Sequence, residues 1–388
     1  CQCSHGRADI KRGSRMNTFV KGMDLSTLSE VENCGGKFYD NGLKDDAIAI
    51  LKRYGMNLVR LRLWNDPYSE DGIPYGAGTN DLLRTVQMAK RLKDTGVDWM
   101  LDLHYSDFWA DPGKQIIPKD WQGMEPIALA GAVYDFTFSV MNTLADSGLL
   151  PAITAVGNEL SNGLLWPFGR TPNFENIVLF LNAGIQAVRD AAPGMKIMLH
   201  LDNGGSNMLY RTWFDSYFAR GGKDFDYIGL SYYPFWHGTM DDLKNNMQDL
   251  ALRYHKDMIV AEVSTGFTLE DYASYEKLAP EERKGMATKR ELAEKVPYPM
   301  TPEGQSAFMR DIMTLIRDIP ENRGKGFVYW EPAWLPVPGC GWANEAALAY
   351  TGEQGPGGNE WANQALFDYD GNALPALKTI RDFGCDFD

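Results

Sequence analysis

The sequence predicts a single (β/α)8 TIM barrel, and three observations predict it. Eight short apolar runs alternate strictly with longer amphipathic segments, the pattern of parallel strands joined by crossover helices. Eight such units in 388 residues suit one closed barrel better than an open doubly wound sheet. No Gly-x-Gly-x-x-Gly follows any of the runs, which argues against a dinucleotide-binding sheet.

Strand one is expected at Val20–Ser26 and strand two at Leu58–Trp64. Between them Leu43–Tyr54 reads as a helix. Asp45 and Asp46 stand at its start, where the macrodipole favours negative charge, and Gly55 follows its end. Next comes Asn80–Thr95, with Leu82, Val86, Ala89 and Leu92 on one face and Gly96 as its stop. Strand three is Asp98–His104. A helix at Val133–Ser147, stopped by Gly148, leads to strand four at Ile153–Asn158. Strands five to eight follow at Lys196–Leu201, Tyr227–Tyr232, Met258–Glu262 and Gly326–Trp330. Phe174–Ala192 follows strand four, and Met208–Arg220, Met240–His255, Pro302–Asp318 and Pro375–Phe383 follow strands five to eight. Runs this short and apolar suit strands buried on both faces. No low-complexity linker divides them, so residues 19–388 read as one barrel and 1–18 as a flexible N-terminal segment.

Composition narrows the function. Lys and Arg number 38 against 52 Asp and Glu, a net charge of −14. Such a surface repels nucleic acid and anionic membranes, and an acidic polysaccharide suits it less than a neutral one. No run of 18 apolar residues marks a membrane span. The 11 Trp and 18 Tyr supply core, and also flat faces on which sugar rings stack. Five cysteines, Cys1, Cys3, Cys34, Cys340 and Cys385, are too scattered for a disulfide scaffold or a metal-ligand spacing. A chain opening on Cys1, followed by the polar stretch Gln2–Arg15, looks like a bacterial lipoprotein anchored by a lipidated cysteine; a boundary within a longer chain reads equally well. The first reading places the protein as exported, at the cell surface or in the periplasm.

Polar residues crowd the C-terminal ends of the strands. Asp24 ends strand one; Arg60, Arg62 and Trp64 end strand two; His104 ends strand three, with Trp109 just beyond. Asn158 and Glu159 follow strand four, Asp202 strand five, Tyr233 strand six, Glu262 strand seven, and Trp330 with Glu331 strand eight. In a (β/α)8 barrel this end carries the site. Two long connections, 264–298 and 332–372, lie at the same end, where loops of that length are usually functional.

Glu159 and Glu262 close apolar strands, where a carboxylate is costly without partners. From strands four and seven they can face each other across the barrel mouth. Glycosidase chemistry uses such a pair: one carboxylic acid protonates the leaving oxygen and the other carboxylate attacks the anomeric carbon. Asn158 is placed to bond a hydroxyl beside that carbon. An arginine of strand two could keep Glu262 ionised, but Arg60 and Arg62 share one parity and the pattern does not choose between them. Glu331, at opposite parity to Trp330, reads as structural.

These residues resemble a known family. Gly22-Met23-Asp24-Leu25-Ser26, Val59-Arg60-Leu61-Arg62-Leu63-Trp64, Leu101-Asp102-Leu103-His104-Tyr105-Ser106-Asp107, Trp109-Ala110-Asp111-Pro112, Gly157-Asn158-Glu159 and Gly163-Leu164-Leu165-Trp166-Pro167 look like the family 53 glycoside hydrolases, the endo-β-1,4-galactanases. Ser231-Tyr232-Tyr233-Pro234-Phe235, Val260-Ala261-Glu262 and Tyr329-Trp330-Glu331-Pro332-Ala333-Trp334 continue the match, which covers roughly 19 to 384. The resemblance implies a retaining enzyme with Glu159 as acid/base and Glu262 as nucleophile, supported by Arg60 and Asn158. It implies β-1,4-galactan as substrate, a neutral polymer, and a cleft lined by Asp24, Trp64, His104, Trp109, Asp202, Tyr233, Trp330 and Trp334. Another barrel β-glycanase, such as a mannanase or glucanase, and a non-catalytic galactan-binding surface protein are the alternatives. A monomer is expected. Bacterial members resembling this chain hold calcium with an Asp/Gly/His/Asn-rich stretch after the strand-seven glutamate. Here that stretch is Ser264–Tyr272, with Glu270 and Asp271 its hard-oxygen candidates. The departure argues against calcium; no cofactor is expected, and metal ligands stay unassigned.

Overall fold

The structure is a computed structural model that describes residues 18–272, 290–354 and 357–384. The expected tether at Cys1, the cysteines Cys3 and Cys385, and half of the loop after strand seven lie outside these residues.

Eight parallel strands close into a barrel: β1 Val20–Asp24, β2 Leu58–Leu63, β3 Asp98–Leu103, β4 Ile153–Val156, β5 Lys196–Leu201, β6 Tyr227–Tyr232, β7 Asp257–Val263 and β8 Gly324–Tyr329. Each pairs with its neighbours in sequence, and β1 pairs with β8 to close the ring. Eleven helices lie among the described residues: α1 Leu28–Asn33, α2 Ala47–Arg53, α3 Leu82–Thr95, α4 Pro126–Asp146, α5 Phe174–Ala191, α6 Asn207–Ala219, α7 Met240–Tyr254, α8 Arg290–Ala293, α9 Pro302–Arg317, α10 Glu345–Thr351 and α11 Pro375–Asp382.

Local chemistry explains the ends of these helices. In α3 the Asp81 carboxylate accepts from the Arg84 amide at 2.8 Å, and Gly96 leaves the helix at φ 71°, a left-handed conformation that suits glycine. Thr239 and Asp242 form a reciprocal capping box on α7. The segment expected as one helix over Leu43–Tyr54 divides. Leu43–Asp45 pairs with Phe38–Asp40 as a small hairpin, and Asp46 then caps α2. The acidic pair expected at the helix start is split, Asp45 ending the hairpin strand and Asp46 capping the helix. α4 starts seven residues earlier than Val133, because Pro126 is tolerated in a first turn, where no N–H partner is needed. By length and composition α4 could also cross a bilayer, which a count of unbroken apolar residues missed. In the fold its Leu129, Val133, Val140, Met141 and Leu144 are buried.

The interior of the barrel is layered. At the bottom Val20, Leu58, Met100, Ile153, Met198, Ile259 and Val328 form an apolar plug. Above it stand buried charges, and above those an aromatic cluster that includes Trp64, Phe108, Tyr233, Trp330 and Trp334. A second apolar core fills the space between strands and helices. The plug consists of buried, packed apolar side chains, so the polar layer rests on a floor with little room to shift.

Closure depends on glycine where β1 meets β8. A Cβ at Gly326, whose φ is 144°, would stand 2.1 Å from the Val20 carbonyl oxygen, and one at Gly22 would stand 2.8 Å from that of Phe327. Both clashes involve backbone, which cannot swing aside. Gly326→Ala is expected to destabilise the fold by ~3 kcal/mol or more. A loss of less than about 1 kcal/mol in urea unfolding would show that the seam tolerates a side chain.

Candidate active site

The chain leaves β4 through two residues of left-handed backbone, Gly157 at φ 84° and Glu159 at φ 48°. Strand alternation stops there, and the turn swings the Glu159 carboxyl into the mouth. On the opposite wall β7 carries a bulge. Leu230 pairs with Val260, yet Ser231 pairs with Glu262, so one extra residue of β7 is inserted. Bulges re-aim side chains, and this one brings Glu262 inward. Carboxylate oxygens of Glu159 and Glu262 come within 4.8 Å of each other. Both residues line a cavity of about 390 Å³ at the C-terminal end of the barrel.

The two carboxyls have unlike surroundings. Glu262 Oε1 lies 2.8 Å from Arg60 Nη1, and Tyr233 donates its hydroxyl to Oε2 at 2.7 Å. Around Glu159 the charged neighbours are acidic: Glu262, Asp202 and Asp111. Burial raises the proton affinity of both groups, Glu159 well above the usual carboxylate range. At Glu262 the Arg60 charge and the Tyr233 hydrogen bond oppose that rise. Glu159 therefore holds its proton when Glu262 has already lost its own, the separation that acid and nucleophile require.

Arg60 is the centre of the polar layer. Besides Glu262, its guanidinium reaches Asp24 at 3.0 Å, Asp102 at 2.7 Å and Asn158 Oδ1 at 2.8 Å. Arg62, two residues on, turns to Glu331 at 2.5 Å and to Thr27 Oγ1 at 2.7 Å. The two arginines that pattern alone left equivalent are thus separated by their partners.

Residues 20–380 match the family described as glycosyl hydrolase family 53.

The chain belongs to that family.

Among its relatives, the endo-β-1,4-galactanase of Bacillus subtilis (strain 168) is 33% identical over 392 residues, covering 96% of this chain and 88% of that one. The catalytic domain of the Ignisphaera aggregans family 53 enzyme superposes with a TM-score of 0.86 at 39% identity, covering 95% of this chain and 97% of that one. A structure described as one of two fungal β-1,4-galactanases superposes at 0.74 with 29% identity, covering 93% and 98%.

In this family 53 glycoside hydrolase, Glu159, Glu262, Arg60, Asn158, His104, Trp109, Tyr233 and Trp330 all line the cavity, as expected. Four expected cleft residues, Asp24, Trp64, Trp334 and Asp202, do not. Asp24 is fully buried beneath the mouth, its carboxylate taken by Arg60, Arg62, and the amide and hydroxyl of Ser26. Trp64 is fully buried and donates to His104 Nδ1. Trp334 is fully buried and donates to Asn359 Oδ1. Position near a strand end located these residues at the right height in the barrel, but not on the surface of the cleft. Asp202 does not line the cavity either, though its charge acts on Glu159. His104 lines the cavity with both nitrogens engaged. Nε2 faces Asp102 at 3.0 Å, and Nδ1 accepts from Trp64 and from the Ala110 amide. Glu331 is structural as expected, although alternation is not the reason. It lies beyond β8 at φ 48°, and its buried carboxylate meets Arg62 and Thr27 inside the mouth.

The sequence reading missed Trp236, Trp342 and Trp361, which complete the aromatic wall. Trp361 meets Trp330 at 5.2 Å and Trp236 at 6.1 Å, both edge-on, and Trp236 is half exposed at the rim. All three come from loops, where no periodicity marks them. His200 was also missed, although it occupies an inward position on β5. The nearest approach to a metal cluster among the described residues is Glu159, His200 and Glu262. Both His200 nitrogens are engaged, with Asn158 and with Ser231, so the imidazole has no lone pair to offer a cation.

Removing Arg60 would leave Asp24, Asp102 and Glu262 buried without a counter-charge. Arg60→Met is expected to destabilise the fold by ~3–5 kcal/mol, read by chemical denaturation at neutral pH. A variant as stable as the parent would mean that the carboxylates find other partners. The Asp102 carboxyl is held down at about 2, where burial is outweighed by Arg60 and His104. Its stabilising contribution is therefore complete above pH 4 and is lost only as the pH falls toward 2.

Proposed function

We propose that this glycoside hydrolase is a retaining endo-β-1,4-galactanase, with Glu159 as acid/base and Glu262 as nucleophile. The observation that carries the mechanism is the approach of the two carboxylates to within 4.8 Å, with only Glu262 paired to a cation. A separation near 5 Å leaves no room for water between the sugar and the second carboxylate, which must then attack directly.

In the first step Glu159 gives its proton to the glycosidic oxygen while Glu262 bonds to the anomeric carbon. In the second, Glu159 takes a proton from water as the water displaces Glu262. Arg60 and the Tyr233 hydroxyl keep Glu262 ionised and fixed in direction. Asn158 donates one N–H to the Ala110 carbonyl at 2.8 Å, and its second N–H is the group suited to the hydroxyl beside the reacting carbon. The tryptophan wall offers apolar faces to successive rings. The choice of β-1,4-galactan rests on the galactanases to which the chain is similar and accords with a neutral polymer meeting a protein of charge −14.

Reducing-end release is expected from galactan and not from mannan or cellulose. Release from mannan alone would replace the substrate assignment, and no release from any polymer would favour a binding protein. Glu159→Ala and Glu262→Ala are each expected to lower kcat by several orders of magnitude with the fold intact; near-normal turnover in either would remove its role. Proton NMR of the first product should show the β-anomer, and initial release of the α-anomer would exclude a retaining mechanism.

A further inference from the structure

Two buried side chains lie behind the acid and take no part in the steps above. His200 on β5 and Ser231 on β6 are fully buried and connect Asn158 to Glu159. His200 Nδ1 lies 2.9 Å from Asn158 Oδ1, and Nε2 lies 2.8 Å from Ser231 Oγ. Ser231 Oγ in turn lies 2.6 Å from Glu159 Oε1.

The protons in this chain can be placed by elimination. Asn158 Oδ1 faces Arg60 Nη2 at 2.8 Å, and Nδ2 faces the Ala110 carbonyl at 2.8 Å. A guanidinium only donates and a carbonyl only accepts, so the amide has one permitted orientation. Oδ1 is an acceptor, and His200 Nδ1 must therefore carry hydrogen. A neutral imidazole has one N–H. Nε2 is then an acceptor and takes the only proton of the Ser231 hydroxyl. What Ser231 shows to Glu159 is an oxygen lone pair. Two oxygens at 2.6 Å need a proton between them, and the remaining source is the Glu159 carboxyl.

We propose that His200 is a positioning residue: its Nδ1-protonated form turns the Ser231 hydroxyl away from Glu159, so that Glu159 keeps the proton it delivers to the leaving oxygen. The inference rests on the assignment of Glu159 as the acid. The reverse direction, with Ser231 donating to a Glu159 carboxylate, needs a second proton on His200. That proton would enter a fully buried ring beside Arg60. Burial, then Arg60, push the imidazole down to about 3, with His104 adding to them and Asp102 opposing. Around Glu159 itself stand Glu262 from β7, Tyr233 beyond β6, Asp202 beyond β5, Asp111 from the loop after β3 and Tyr210 from α6, while Lys114 in the same cavity is paired with Asp111 at 2.8 Å and Glu353 at 3.0 Å. No cation among them competes for the proton. Once the proton has gone to the glycosidic oxygen, the Glu159 carboxylate faces an oxygen lone pair. Ser231 can turn toward it only by leaving His200 Nε2 unpaired. The arrangement thus favours return of a proton from the incoming water.

The sign of one shift tests this direction. If Ser231 only accepts from Glu159, Ser231→Ala removes a partner of the protonated acid. The alkaline limb of kcat/KM then moves to lower pH, by about half a unit to one unit. If Ser231 donates, the same variant removes a partner of the carboxylate and the limb moves up. An upward shift or an unmoved limb overturns the proposal. A second readout needs no variant in the enzyme that is measured. Side-chain 15N shifts of the histidine-labelled parent, with His200 assigned by its loss in His200→Gln, should show a neutral Nδ1–H ring across the active pH range. An Nε2–H ring or an imidazolium overturns the proposal even if Ser231→Ala fails to fold. Wild-type rates in Glu159→Ala would instead overturn the acid assignment, and the histidine spectrum would still report the state of His200.

Discussion

A single guanidinium holds the reactive end of this barrel together. Arg60 rises from β2 and reaches Asp24 on β1, Asp102 on β3, Asn158 beyond β4 and Glu262 on β7. A charge so deeply buried would be prohibitive alone. Here its planar donors match carboxylates delivered by strands whose positions the closed barrel already fixes. The same contacts make the site possible: they hold one glutamate ionised and aimed, and they set the asparagine beside the other. Arg62 repeats the arrangement nearer the solvent with Glu331 and Thr27, and lies 4.1 Å from the Trp109 ring. Structure and reactivity rest on one network, so its members cannot be sorted cleanly into scaffold and machinery.

The network is unevenly charged. Arg60 and Arg62 face Asp24, Asp102, Glu262 and Glu331, two cations among four carboxyls. The imbalance shows in Glu331, which burial and Asp24 lift to about 7 against the pull of Arg62. It shows again in Glu159, which stands just outside the reach of the cations. A surplus of buried acid adds to burial in raising the proton affinity of Glu159, while Arg60 opposes the same rise at Glu262 across the mouth.

The barrel was legible because strand burial writes itself as short apolar runs. All eight strands lie where those runs lie, and the errors are confined to ends. Ile153–Asn158 was read two residues too long, because Gly157 breaks the strand through backbone conformation while Asn158 and Glu159 still look like its continuation. The reactive pair was legible for a related reason: a carboxylate closing a buried run is too costly to be incidental. What stayed hidden was side-chain direction after the strands end. Asp24, Trp64 and Trp334 have the composition of cleft residues but point into packing. Trp236, Trp342 and Trp361 do line the cleft, yet come from loops whose path is set by tertiary contacts. His200 and Ser231 were overlooked because each is a single polar residue inside a strand, and its purpose depends on neighbours from two other strands.

The left-handed backbone at Glu159 has a consequence for how this protein could change. A non-glycine residue held at φ 48° costs about 1–3 kcal/mol, and here the side chain is also an acid kept from water. Selection for durability alone would settle on glycine at that position and gain a tougher, inert barrel. The enzyme persists as one because its most useful residue is also one of its least comfortable.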